Sequence, residues 1–296
     1  MALWQDRRGR FSPLRAGTLV LLVSPLIALI YFTLTRDLGP RPIIEALHET
    51  GLWAVRFLML TLLISPLRRL ARYAFLVDVR RMIGVAAFCY IALHLCLYFV
   101  DQAFDISQVV SEIVERIYLT IGFTAWLGLM TLAATSNDYM VRKLGGVRWR
   151  KVHWLVYPIG LLALIHYFMQ SKLEVFEPTV VAGLFGWMML YRFAHWTLPR
   201  SFRITNGELP LWFIGSIGIV AGGLTFLGEA YGYWFVHDIS PAMVLQLDFT
   251  FEAGIRPGWY VLAGGLILFL IGVWRLQPEG GWFQSATSRS AGRTPS

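Results

Sequence analysis

The chain has 296 residues, of which 56% are apolar, 15% aromatic and only 15% charged, with a mean hydropathy of +0.57. A water-soluble core cannot hide that share of apolar side chains, and no stretch remains for a soluble nucleotide-binding domain, so a self-contained flavin or nicotinamide enzyme is excluded. The formal charge of +8 could suit nucleic acid, but its distribution along the chain follows another logic.

In chain order, Arg7, Arg8, Arg10 and Arg15 precede an apolar run over 18–34. The run is long and no A-x-A site follows it, so it reads as a retained anchor and not a cleaved leader. The polar turn RDLGPRP leads into a second span over 45–66, which carries Trp53 and Arg56. A basic segment over 68–81 opens a third span at 82–100, with His94 in its far half. An acidic loop with Asp101, Asp105, Glu112 and Glu115 precedes the fourth span, 117–134. A second basic loop over 142–151 feeds the fifth span, and three more are expected at 179–198, 211–227 and 259–274. The expected class is therefore an all-α integral membrane protein of about eight transmembrane helices. The tail over 277–296 is rich in Ser, Gly and Arg and reads as disordered.

Cations assigned to alternating sides of these spans fall unevenly. Twenty of the 26 lie on the side that holds both termini, five lie on the other, and Arg56 is within a span; acidic residues run the opposite way, five against thirteen. The positive-inside rule then places both termini in the cytoplasm. The basic surplus is a topology signal, the bilayer is the partner surface, and no nucleic-acid partner is expected.

The segment over 150–172, RKVHWLVYPIGLLALIHYFMQSK, organises the rest. Read as one ideal helix, it sets His153 and His166 about 20 Å apart along its axis, and about 140° apart around it, a phase that a kink at Pro158 between them would alter. Spans three and five run the same way, so distance from the basic segments measures depth in both. His94 lies thirteen residues beyond Arg81 and His166 fifteen beyond Lys151, which gives them similar height. They can face one iron, because neutral imidazole is a nitrogen ligand and ionisable groups in a span call for a purpose. His153 sits near the cytoplasmic interface, with Arg80, Arg81 or Met82 at the matching depth of span three. One bis-histidine haem is favoured over two. Arg56 reads as an unpaired guanidinium deep in span two that needs an anion, and a haem propionate would supply one. His48, His195 and His237 read as interfacial. Cys89 and Cys96, about 10 Å apart on one helix face, read as small hydrophobes.

Three ordered motifs, HETGLWAVRFLMLTLLISPLRRL, RRMIGVAAFCYIALHLCLYFVDQ and KLGGVRWRKVHWLVYPIGLLALIHYFMQSK, resemble the MsrQ (YedZ) family of bacterial inner-membrane haem proteins, within the ferric-reductase-like transmembrane superfamily. The resemblance implies a six-helix haem-binding domain over 17–200 behind a cytoplasmic segment, 1–16; the two-span extension over 201–276 departs from the family pattern. It implies a b-type cytochrome in the cell inner membrane, a non-catalytic redox subunit of a methionine sulfoxide reductase system. Electrons would come from a cytoplasmic flavin (FMN) reductase or the quinone pool and pass to a periplasmic molybdopterin-containing catalytic subunit. Family haem ligands fall on His94 and His166, with His153 as a further family histidine.

Other readings stay open at this stage. One is a ferric or quinone reductase that works without a protein partner. Another is a transporter or assembly factor using the intramembrane His and Arg, which calls for carboxylates inside the spans, and the sequence shows no Asp or Glu well inside any of them. Gly215, Gly218, Gly222 and Gly223 are expected to give span seven close packing against the core bundle.

Overall fold

The computed structural model describes residues 4–5, 9–35, 37–71, 76–171, 174–204, 207–251 and 254–275. Arg7, Arg8, Glu252 and the tail from 277 lie outside the described residues. The chain divides into two compact units, Met1–Val181 and Ala182–Ser296. Among the described residues, seven helical stretches are long and apolar enough to cross a membrane: Pro13–Thr35, Pro42–Arg68, Asp78–Asp101, Ile117–Ala134, Asp138–Ser171, Leu211–Phe235 and Pro257–Trp274.

The first unit opens with α1 (Pro13–Thr35), whose internal Pro25 cannot donate to Leu21. Ser24 Oγ donates to the Leu21 carbonyl instead, and the hydroxyl of Tyr90 reaches the Leu22 carbonyl at 2.9 Å. Next come α2 (Pro42–Ala71) and α3 (Leu76–Asp101), the most closely packed pair of this unit. The basic segment between them, expected as a loop, is largely helix: α2 runs through Arg68 and α3 already contains Arg80 and Arg81. Phe57, Leu58 and Leu62 of α2 and Val79, Ile83 and Ala87 of α3 are almost wholly buried.

The acidic loop also contains a helix, α4 (Ile106–Glu115), capped by the Asp105 carboxylate on the Gln108 amide. It leads into α5 (Ile117–Ala134), which coincides with the fourth expected span. The second basic loop is helical too. It forms α6 (Asp138–His153), started by Asn137, whose side chain accepts from the Met140 amide, and kinked at Gly145, where φ is 72°. Glycine adopts that backbone without a Cβ clash.

The fifth span is not one continuous helix, which corrects the sequence reading. α6 ends at His153 and α7 (Val156–Ser171) begins after a two-residue turn, Trp154 and Leu155. Pro158 has no N–H to offer the Trp154 carbonyl, so the junction tightens to three-residue bonds, Leu155 N–H to Val152 O and Tyr157 N–H to Trp154 O. The axial separation and the 140° phase between His153 and His166 were counted on an unbroken helix, and this turn falls between the two residues.

α8 (Phe176–Thr197) stands where the sixth span was expected. Its 22 residues reach about 33 Å. Glu177, Arg192 and His195 dilute its apolar character, and it is not among the seven membrane-length stretches.

In the second unit, α9 (Leu211–His237) outruns its expected end by ten residues and pairs along its length with α11 (Pro257–Trp274). α10 (Pro241–Thr250) caps the pair by packing on α9. Of the glycines expected to face a core bundle, three meet α11; Gly218 also lies against Trp187 of α8, and Gly223 has nothing within 4 Å of an added Cβ. Gly215 abuts Phe269, Gly218 abuts Gly265 and Gly222 abuts Leu262, while α11 returns Gly258 and Gly272 against Phe226 and Trp212. With no Cβ on these turns the backbones approach closely, the usual geometry of small-residue helix pairs in lipid. Gly265→Val places branched carbons against the Gly218 backbone, which has no side chain to move aside. It is expected to destabilise the pair by about 1–3 kcal/mol, read as a lowered unfolding temperature in detergent.

The extension of α9 places Glu229 inside a membrane-length stretch, contrary to the expectation that no carboxylate lies within a span. Its side chain is 1% exposed and pairs with Arg256, which also donates Nε–H to Asp248 at 3.2 Å; the Asp248 side chain is 0% exposed. Phe226, Phe249 and Phe251 close around Trp259, whose indole N–H donates to the Asp248 carbonyl at 2.8 Å. The carboxylate a transport pathway would need is thus held in a closed ion-paired cluster.

Candidate cofactor site: two imidazoles on separate helix pairs

His94 near the end of α3 and His166 near the end of α7 are brought together. Their ring centroids are 6.4 Å apart and their planes are perpendicular, at 90°. α3 is packed on α2 and α7 on α5, so each imidazole is carried by a different helix pair. Each is also fixed by the same device. His94 Nδ1 lies 2.8 Å from the Leu47 carbonyl of α2, and His166 Nδ1 lies 2.8 Å from the Tyr118 carbonyl of α5. A carbonyl can only accept, so each Nδ1 carries the proton and each Nε2 keeps its lone pair. Thr50, fully buried, donates its hydroxyl to the Ala46 and Leu47 carbonyls on the same turn.

The centroid separation has the length that two nitrogen ligands on one metal would give. Metal–nitrogen bonds of about 2.0 Å on each side, plus about 1.2 Å from each nitrogen to its ring centre, add to about 6.4 Å, the separation observed. Among the described residues no group of three or more His, Cys, Asp or Glu side chains converges on a metal position. Two opposed imidazoles with nothing else converging suit an iron whose four equatorial ligands come from a macrocycle.

His153 is placed elsewhere. It ends α6 with its ring stacked on Trp149, 3.9 Å between centroids, and its Nε2 lies 3.3 Å from Ser136 Oγ. The Trp149 indole N–H is bonded to the Thr135 carbonyl, so stack and hydroxyl form one packed corner of α5 and α6.

Arg56 is not unpaired. Its Nε and Nη2 reach Glu177 Oε1 at 2.9 and 2.7 Å, and its guanidinium lies 4.8 Å from the centre of the Trp53 ring. Tyr167, next to His166, faces the same carboxylate. The anion the sequence reading sought is thus supplied first by the chain itself, from the start of α8, 121 residues away. No local signal could have found that partner. The backbone acceptors Leu47 and Tyr118 escaped sequence reading for the same reason. Cys89 and Cys96 are both free thiols.

Four or more helices carrying two opposed histidines define the class to which the comparisons point. The family described as the ferric reductase like transmembrane component matches residues 50–164, from the turn after Leu47 almost to His166. The chain is 46% identical over 155 residues to a protein-methionine-sulfoxide reductase heme-binding subunit MsrQ from Xanthomonas oryzae pv. oryzae, covering 51% of this chain and 71% of that protein. It is 44% identical over 156 residues to the MsrQ of Xanthomonas campestris pv. campestris, covering 52% and 71%. With the MsrQ of Rhodospirillum rubrum it shares 37% identity over 200 residues, 66% of this chain and 94% of that protein. The chain belongs to the MsrQ family. No solved structure matches it.

Proposed function

We propose that this chain is the haem-binding, electron-transferring membrane subunit of a protein-methionine-sulfoxide reductase system. The observation that carries the reading is the opposed pair His94 and His166, each with Nδ1 committed to a backbone carbonyl and Nε2 left to bind iron. The names of the relatives point the same way. When bound, a b-type haem supplies one-electron redox chemistry at an iron with both axial positions filled, which suits relay and not substrate binding. The chain is then a non-catalytic redox subunit.

The residues have distinct tasks in this reading. Leu47 and Tyr118 hold the imidazole tautomers through their carbonyls and raise ligand basicity, as partners of metal-bound histidines do. Arg56 is paired with Glu177 through its Nε and Nη2 edge and offers its remaining N–H groups to a propionate. His153 is a secondary cofactor-side residue, and one haem per chain is favoured because its Nε2 already faces Ser136.

The haem-binding domain spans 17–200 and a two-helix extension follows over 201–276. The membrane is the bacterial inner membrane, with both termini cytoplasmic, from the uneven distribution of cations and with α8 counted as an eighth crossing. Donor electrons arrive on the cytoplasmic side from a flavin reductase or the quinone pool. The basic segments at 68–81 and 142–151 are suited to an FMN phosphate. The acceptor is a periplasmic molybdopterin-containing catalytic subunit that repairs oxidised methionine.

The test is an oxidised and dithionite-reduced visible spectrum of the detergent-purified chain, with pyridine haemochrome quantification. The expected result is a sharp reduced α-band and about one haem b per chain. A colourless protein after haem-supplemented expression rejects the reading.

A further inference from the structure

Two glycines stand against the two imidazoles in equivalent places. Gly51 is four residues after Leu47 on α2, and Gly122 is four residues after Tyr118 on α5. In a helix the side chain at position i+4 leans back over the turn that holds residue i. Any Cβ at these two positions therefore stands over the carbonyl that the histidine ring must reach. A Cβ added at Gly51 falls 3.0 Å from His94 Nδ1 and 3.1 Å from its Cε1; at Gly122 the distances to the same atoms of His166 are 2.7 and 2.8 Å. Ordinary carbon contacts need about 3.5–4.0 Å.

Backbone conformation does not explain these residues. The glycines with positive φ are Gly9, Gly39, Gly145, Gly207 and Gly254, whereas Gly51 and Gly122 lie in regular helix, where glycine is the less favourable choice. What they provide is space for a ring.

We propose that Gly51 and Gly122 are positioning residues for the axial histidines: each clears the helix surface so that its imidazole lies flat against the backbone, donates Nδ1–H to the carbonyl one turn earlier and aims Nε2 at the iron. This inference rests on the haem reading above. It also carries an asymmetry, because the space at Gly122 is tighter than at Gly51.

The experiment compares wild type, Gly51→Ala, Gly122→Ala and Gly17→Ala, the last at a helical glycine with nothing within 4 Å of an added Cβ. Each is purified as holoprotein and checked for folding by size-exclusion elution and circular dichroism. Haem per chain, the low-spin EPR spectrum and the midpoint potential are then measured.

Gly122→Ala is expected to hold haem about tenfold more weakly, the scale typical of lost outer-shell support. Gly51→Ala keeps its haem but shifts the EPR anisotropy, which reports the angle between the ring planes, and the potential. Gly17→Ala matches wild type. If Gly122→Ala does not fold, Gly51→Ala decides alone. Haem content, EPR and potential all unchanged in the folded alanine variants overturn the positioning role and leave the haem reading standing. A wild-type protein without haem overturns both.

Discussion

His94→Ala and His166→Ala are each expected to leave detergent extraction with almost no haem, while His153→Ala keeps most of it. The two ligands are carried by different helix pairs, so losing either one leaves the cofactor tied to only one side of the site. Besides His166, the imidazole within electrostatic reach of His94 is His48. What surrounds His94 is the Leu47 carbonyl, Gly51 and the opposite imidazole, and what surrounds His166 is the Tyr118 carbonyl and Gly122. Outer-shell losses alone weaken metal sites about 10–100-fold, and loss of a ligand exceeds that. His153 differs in what its ring touches, since it is stacked on Trp149 with Nε2 toward Ser136. Haem quantification on the three variants checks this. Full occupancy in His94→Ala would mean that the pair is misassigned.

The second large effect lies in the other unit. Arg256→Met is expected to destabilise it by about 3–5 kcal/mol, because two buried carboxylates lose the single cation that compensates them. The Glu229 and Asp248 side chains are 1% and 0% exposed, so water cannot take the place of the guanidinium. The loss depends on pH, with a definite sign. Burial raises the Asp248 carboxyl above its usual range, and Arg256 opposes that rise. Removing Arg256 lets it climb further. Between the unfolded value near 4 and the raised folded one, the folded protein binds more protons than the unfolded chain, so stability grows as pH falls. Thermal unfolding in detergent at about pH 8 and about pH 5 reads this out. The deficit of Arg256→Met shrinks on acidification, and a deficit that is absent or independent of pH counts against the cluster. Replacing all three residues with apolar ones of similar volume recovers most of the loss.

Long apolar runs were legible because a bilayer demands about twenty residues without charge. α5 coincides with its expected span, and α1 contains its own. Charged segments misled, since Arg80, Arg81 and the stretch from Arg142 to Lys151 read as loops yet are helical. A helix that leaves the apolar layer keeps its hydrogen bonds, and charge alone does not end it. The similar height of His94 and His166 could be counted from the basic segments. Their carbonyl partners and Glu177 could not, because pairing across 47, 48 or 121 residues leaves no trace in local pattern. The interruption after His153 was legible in Pro158, a kink signal between the two histidines, although their spacing was counted on an ideal helix.

The cluster on α9 also dictates an order of assembly. α9 emerges first from the ribosome with Glu229 near its far end, and Arg256 follows 27 residues later at the threshold of α11. An ionised carboxylate is a poor passenger in lipid, so α9 gains its settled position only once α11 has been threaded beside it. Pairing with Arg256 therefore settles the end of α9 that carries Glu229, and a chain truncated before Arg256 is expected to hold that end less firmly in place.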